Sequence, residues 1–189
     1  GDVYKRQILF KLVFTLYKKS VRILNVNKLN GVICMGQKLD NYDKKILQIL
    51  QEDGSISNLE LAHQIGLAQS SCLLRTKSLR ERGVIAKTTI IVDEKKLGYE
   101  VTAFAKVNLN PLNRETSSNF VEKIKDISQV VECYTITGDG AFLLKIVAKD
   151  LQYYRDFIVG TLLAIDAVSH VETNMVVGVD KNTTAIPLE

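Results

Sequence analysis

From residue 40 onward the apolar positions recur first at helical spacing and later at alternate positions, and the change of period near residue 84 divides the chain. Ile46, Leu47 and Leu50 share one face of a first helix, with Asp40 placed to cap its start. Ser57-Asn58-Leu59-Glu60 has the form of a capping box, in which hydroxyl and carboxylate satisfy backbone N–H groups that a helix start leaves open. Leu61, Ala62 and Ile65 follow as a narrow stripe, and Gly66 falls where a helix end favours a left-handed residue. A third helix is expected over residues 69–82, with Cys72, Thr76, Leu79 and finally Gly83 on its packing side. Ser70, Ser71, Leu74, Arg75, Lys77, Ser78 and Glu81 point elsewhere. The β-branched run 84–92 then reads as a strand or wing. Three helices and a wing make a winged helix-turn-helix.

Past residue 100 the period is two. Val101, Ala103, Ala105, Val107 and Leu109 alternate with polar or mixed positions, the pattern of a half-buried strand closed by Pro111 and Asn113. Phe120, Ile124 and Ile127 mark a helix from about Thr116. Strands are expected over 130–137 and 141–148, joined at the turn-forming Gly138-Asp139-Gly140. Asp150 is placed to cap a helix carrying Leu151, Tyr154, Ile158 and Leu162. A last strand over 168–179 puts Val171, Thr173, Met175, Val177 and Val179 on one side. Strand, helix, strand, strand, helix, strand is a ferredoxin-like split βαβ pair, so the fold class is α+β. In the third strand Ala141, Leu143 and Val147 alternate with Phe142, Leu144 and Ile146, making both faces apolar. Such a sheet calls for a partner beyond its own helices, with Phe142, Leu144 and their neighbours divided between core and interface.

Charge sharpens the first domain. Between Ala68 and Lys87 stand five cations, Arg75, Lys77, Arg80, Arg82 and Lys87, against the single anion Glu81. Cations and short hydroxyl side chains on an outward helix face suit phosphate oxygens and base edges of a major groove. Gln69, Ser70, Ser71, Leu74, Arg75, Lys77, Ser78 and Arg80 are therefore the candidate DNA-binding residues; a merely solvated cationic face is the competing reading. The overall charge of +4 does not bear on this. Residues 1–37 hold seven cations and one anion, residues 38–99 ten and eight, and residues 100–189 eight and twelve, so only the first domain suits a polyanion.

The helix-turn-helix run from Leu39 to Ile85, the Leu97-Gly98-Tyr99 step and the later Ile136-Thr137-Gly138-Asp139-Gly140 together resemble the Lrp/AsnC family of bacterial and archaeal transcription regulators. The resemblance covers nearly everything from Lys38 onward. It implies an N-terminal DNA-binding domain, a connecting strand, and a C-terminal ACT-like domain of the RAM type that dimerises, assembles further and binds an amino acid. The effector residues it implies are Gly138, Asp139, Gly140 and Ala141, with Glu172 and Asn174 facing them from the last strand; a plain hairpin turn is the alternative. Two departures stand out. Gly140 and Ala141 occupy positions where relatives commonly have tyrosine and aspartate, and Ala68 stands where a serine N-cap is common.

The expected domains are a leader over 1–36, a DNA-binding domain over 37–87, a connector over 88–99, a ligand-sensing and oligomerisation domain over 100–182, and a tail over 183–189. Asp2 to Gln7 resembles a translated sequencing-library adapter, and proper translation is expected to start at Met35, leaving 1–34 non-native. A basic DNA-binding arm and a signal-like leader are the competing readings of this segment. Its apolar run is too short and too charged to span a bilayer, so a cytoplasmic protein without membrane contact is expected. Hydrophobic residues make up 46% of the chain, more than a disordered chain would carry. Cys34, Cys72 and Cys133 form no C-x-x-C pair, which implies neither a disulfide framework nor a zinc site. His63 and His170 stand apart, carboxylates are not paired, and phosphate-loop, nucleophile-elbow and dinucleotide signatures are lacking. No catalytic residue, metal or cofactor is expected. A ligand-sensing or assembly module without DNA, and an enzyme on the same scaffold such as a haem-precursor decarboxylase, are the alternatives.

Overall fold

The computed structural model describes residues 38–138 and 140–189; the leader, with the expectation about Met35, and Asp139 lie outside the described residues. The first element among the described residues is α1 (Asn41–Glu52). Asp40 caps it as expected, its Oδ1 accepting the Asp43 N–H at 2.8 Å, and Asp43 lies in the first turn, where free N–H groups favour a carboxylate. Helix α2 (Asn58–Ile65) opens at Ser57, whose Oγ accepts the Glu60 N–H at 3.1 Å, and closes at Gly66 with φ 72° and ψ 37°. Helix α3 (Gln69–Glu81) follows after a turn that Asn58 fastens, its Nδ2 donating to the Gln69 carbonyl at 2.9 Å. Ile46, Leu47, Leu61, Ala62, Ile65, Cys72 and Leu79 are the buried apolar residues of these helices.

The expected strand at 84–92 does not form, because its beginning is spent on the helix before it. Val84 and Ile85 both donate their N–H groups to the Leu79 carbonyl, at 2.9 and 3.2 Å, closing α3. Ile90, Ile91 and Val92 run on exposed, and residues 86–92 join no ladder. A short 3₁₀ turn, Lys95–Leu97, leads into the second domain.

There β1 (Val101–Leu109), α4 (Arg114–Lys125), β2 (Val130–Thr135), β3 (Phe142–Ala148), α5 (Leu151–Phe157) and β4 (Val168–Met175) follow in order. The sheet order is β2-β3-β1-β4 with every pair antiparallel, the expected ferredoxin-like arrangement. Ala103, Ala105, Val107 and Leu109 of β1 and Phe142, Leu144 and Ile146 of β3 are buried in one core with Phe120, Ile124, Tyr154, Phe157 and Leu162. Phe120 and Phe142 meet with ring centroids 4.7 Å apart. Phe142 and Leu144 thus belong wholly to the core, and Leu143 and Val147 are left to the other face.

Several boundaries differ from the sequence expectation, each for a local reason. Helix α4 starts two positions early because Asn113 supplies a full reciprocal box with Thr116. Leu151 is exposed, and Phe157 takes its place on the buried stripe of α5. Beyond Phe157 the helix widens into a π turn, Ile158–Leu162, in which the Leu163 N–H donates to the Ile158 carbonyl at 2.9 Å. Strand β4 ends at Met175, which faces Ala103; the Val176 N–H still donates to the Thr102 carbonyl at 2.9 Å, and Val177 beyond it is fully exposed. A bulge at Ser169, whose Oγ donates to the Asn108 carbonyl at 3.2 Å, shifts the register near the start of β4.

Candidate nucleic-acid interface and effector turn

Helix α3 presents two unlike sides. Cys72 and Leu79 are buried, and Thr76 above them donates its hydroxyl to the Cys72 carbonyl at 3.0 Å. Of the candidate DNA-binding residues, Gln69, Ser70, Ser71, Leu74, Lys77 and Arg80 are exposed, whereas Arg75 and Ser78 are half-buried at the flank. Ser70, Leu74, Lys77 and Glu81 follow one another at helical spacing and form the stripe opposite the buried side. Lys77 and Glu81 are joined across it by an exposed ion pair of 3.8 Å. Leu73, exposed beside Leu74, was not singled out by sequence reasoning. The helix starts at Ala68, in the extended conformation of an N-cap but without a side-chain bond, as the missing serine implies.

The turn between β2 and β3 lies beside the C-terminal end of β1. Gly138 has φ +108°, the Gly140 N–H donates to the Gly138 carbonyl at 3.0 Å, and the Ala141 N–H donates to the Val107 carbonyl at 3.0 Å. A methyl group on Gly140 would lie 3.6 Å from both Asn108 Oδ1 and Lys106 Cβ. Glu172 reaches the same place from β4, its Oε2 3.4 Å from Lys106 Nζ. Gly140 and Glu172 are therefore brought together around Lys106. Asn174 stands further along, opposite Phe104, and Ala141 is buried. Lys106, Asn108 and His170, which pairs with Asn108 in register, complete the surroundings. Sequence reasoning missed these three; the only signal was the polar Thr102, Lys106 and Asn108 at alternate positions of β1, interrupted by Phe104.

The rest of the sheet's open face mixes apolar and polar groups. Half-buried Phe104 and Leu143 and buried Val147 lie among Lys145, which is bonded to Glu94 at 3.3 Å, and Glu132, which accepts the Tyr134 hydroxyl at 2.6 Å. That bond and the carboxylate's charge push the Tyr134 hydroxyl above its ordinary pKa. A surface recess of ≈ 280 Å³, lined by Gln48, Gln51, Glu52 and residues 185–188, shares no residue with α3 or the turn. Among the described residues no group of histidine, cysteine and carboxylate side chains could hold a metal, and no helix is long and apolar enough to cross a membrane.

Comparison with known proteins agrees with both halves. A model of winged helix-turn-helix DNA-binding domains matches residues 39–86, and a model of the Lrp/AsnC ligand binding domain matches residues 102–186. The chain is similar to the transcriptional regulator AzlB of Bacillus subtilis, with 55% identity over 155 residues, 82% of this chain and 99% of that protein. It is 34% identical to a leucine-responsive regulatory protein of Rhizobium meliloti over 74% of this chain and 90% of the relative. Among solved structures, transcriptional regulator NMB0573 of Neisseria meningitidis in complex with L-Met superposes with a TM-score of 0.77 at 29% identity, covering 79% of this chain and 97% of that one.

Proposed function

This chain belongs to the Lrp/AsnC family of transcriptional regulators, and we infer that it binds duplex DNA sequence-specifically and regulates transcription in the cytoplasm. Its matched relatives are regulators, which sets the decarboxylase reading aside. The observation that supports DNA binding most directly is the outward side of α3, where hydroxyls and cations stand opposite the buried Cys72 and Leu79. Ser70, Ser71 and Leu74 face the major groove, Gln69 and Ser78 border it, and Arg75, Lys77 and Arg80 contact phosphates or guanine edges. The working domains are 37–87 for DNA, 88–99 as connector and 100–182 for response and assembly. In a mobility-shift series, Arg75→Ala weakens binding by about 1–3 kcal/mol if its contact is a guanine edge. Unchanged affinity and salt slope for both Arg75→Ala and Lys77→Ala would overturn the assignment.

The second domain takes an amino-acid effector at the turn. A free amino acid carries one positive and one negative group, and the Lys106–Glu172 pair offers the complement of each beside Gly140. The ammonium pairs with Glu172 and the carboxylate with Lys106, with Asn174 further along the same strand, so these charges replace the tyrosine and aspartate that relatives commonly carry. Calorimetry against the twenty amino acids gives heat with at least one, and Lys106→Met abolishes it; silence from all of them leaves the turn as structure alone. The open face of the sheet joins a second copy of the chain, and binding at the turn biases assembly by favouring one state.

A further inference from the structure

We propose that Leu74 is a specificity residue that reads the C5-methyl group of a thymine in the major groove. The inference rests on the assignment of α3 to DNA and adds the chemistry of one base contact. Leu74 is 68% exposed on a helix whose own packing needs are met by Cys72 and Leu79. Scattered exposed leucines are ordinary on a protein surface; the position of this one is not. Ser70 precedes it by one helical turn and Lys77 follows it by nearly one, so an apolar side chain sits at the centre of a hydroxyl- and cation-lined stripe. Glu81 ends that stripe with a carboxylate held by Lys77, which puts the base-facing part in the first half of the helix, where recognition helices meet base edges. Among the groups a base pair shows in the major groove, the thymine methyl is the apolar one, and the others are hydrogen-bond donors and acceptors that a leucine cannot satisfy. A buried contact between the two removes water from both.

The test uses the full chain and DNA that the chain itself selects. Duplexes bound from a random-sequence library are resynthesised with deoxyuridine replacing one thymine at a time, which deletes only the methyl group, and affinities are read by fluorescence anisotropy. At one thymine of each half-site, deoxyuridine weakens the unaltered chain about fourfold, the ratio expected when a single buried methyl is lost. Leu74→Ala binds the thymine and deoxyuridine duplexes alike, Leu74→Met keeps a preference for thymine, and Leu73→Ala keeps the full penalty. The proposal is overturned if no deoxyuridine position matters to the unaltered chain, or if Leu74→Ala retains the penalty. If the library yields no enriched duplex, the DNA assignment of α3 falls and this contact falls with it; enriched duplexes indifferent to deoxyuridine remove the thymine contact alone.

Discussion

Ala68 holds the backbone of a helix N-cap, φ −63° and ψ 142°, yet brings no oxygen to the open N–H groups of α3. Ser57, Asn113 and Asp150 do this for α2, α4 and α5. Because the geometry is already in place, Ala68→Ser raises unfolding stability by about 1 kcal/mol, read as a higher denaturant midpoint at unchanged slope. Caps of this kind were legible in the sequence because their causes are local: Asp40, Ser57, Gly66 and Asp150 all act within a few positions of themselves. The surroundings of the effector turn were not. Lys106 and Glu172 are 66 positions apart, and only the register of β1 against β4 brings them together.

At the scale of elements, the period of the sequence announced the kind of each segment, while its length was decided by neighbours. Strand β4 was expected to reach residue 179 on its alternating valines, but a strand lasts only as long as a partner, and β1 begins at Val101. The run 84–92 has strand composition and no partner among the described residues, so composition alone misled. Where helix and strand do meet, Tyr154 of α5 shares a hydrogen bond of 2.9 Å with Thr173 of β4. Burial pushes the Tyr154 hydroxyl above its ordinary pKa, and the Thr173 bond only partly offsets this. Folding thus favours the neutral phenol, a contribution fully present below the unfolded value near ~10 and lost as pH rises toward the folded one. In denaturation series between neutral and strongly alkaline pH, Tyr154→Phe shows a shallower alkaline loss of stability than the unaltered chain; identical slopes would contradict this.

For the whole molecule, the two-domain plan was readable from the sequence, because a switch from helical to alternating period and a change of charge sign fall near the same place. The expectation of a second copy came without a surface. Two apolar faces on β3 called for a partner; in the fold Phe142 and Leu144 are spent on the core, Val147 is already covered, and half-buried Phe104 and Leu143 are left on the open face. The full chain accordingly sediments as a dimer or larger at micromolar concentration, and Leu143→Asp shifts it toward monomer. A monomer throughout would remove the open face from the interface.

The wide turn at Ile158–Leu162 holds one residue more than a regular helix uses per hydrogen bond, and the surplus has a bearing on how insertions and deletions are tolerated here. Without the widening, the buried stripe of Tyr154 and Phe157 would continue to Thr161, a polar residue, and fully buried Leu162 would miss the core. Gly160 lies inside the turn with open space around its Cα. Excising it moves Leu162 into the place of Thr161 and lets an ordinary helix run through in phase. A one-codon deletion that would ruin most helices by rotating everything after it should leave this one close to its original melting temperature, whereas deleting Arg155, ahead of the turn, should not.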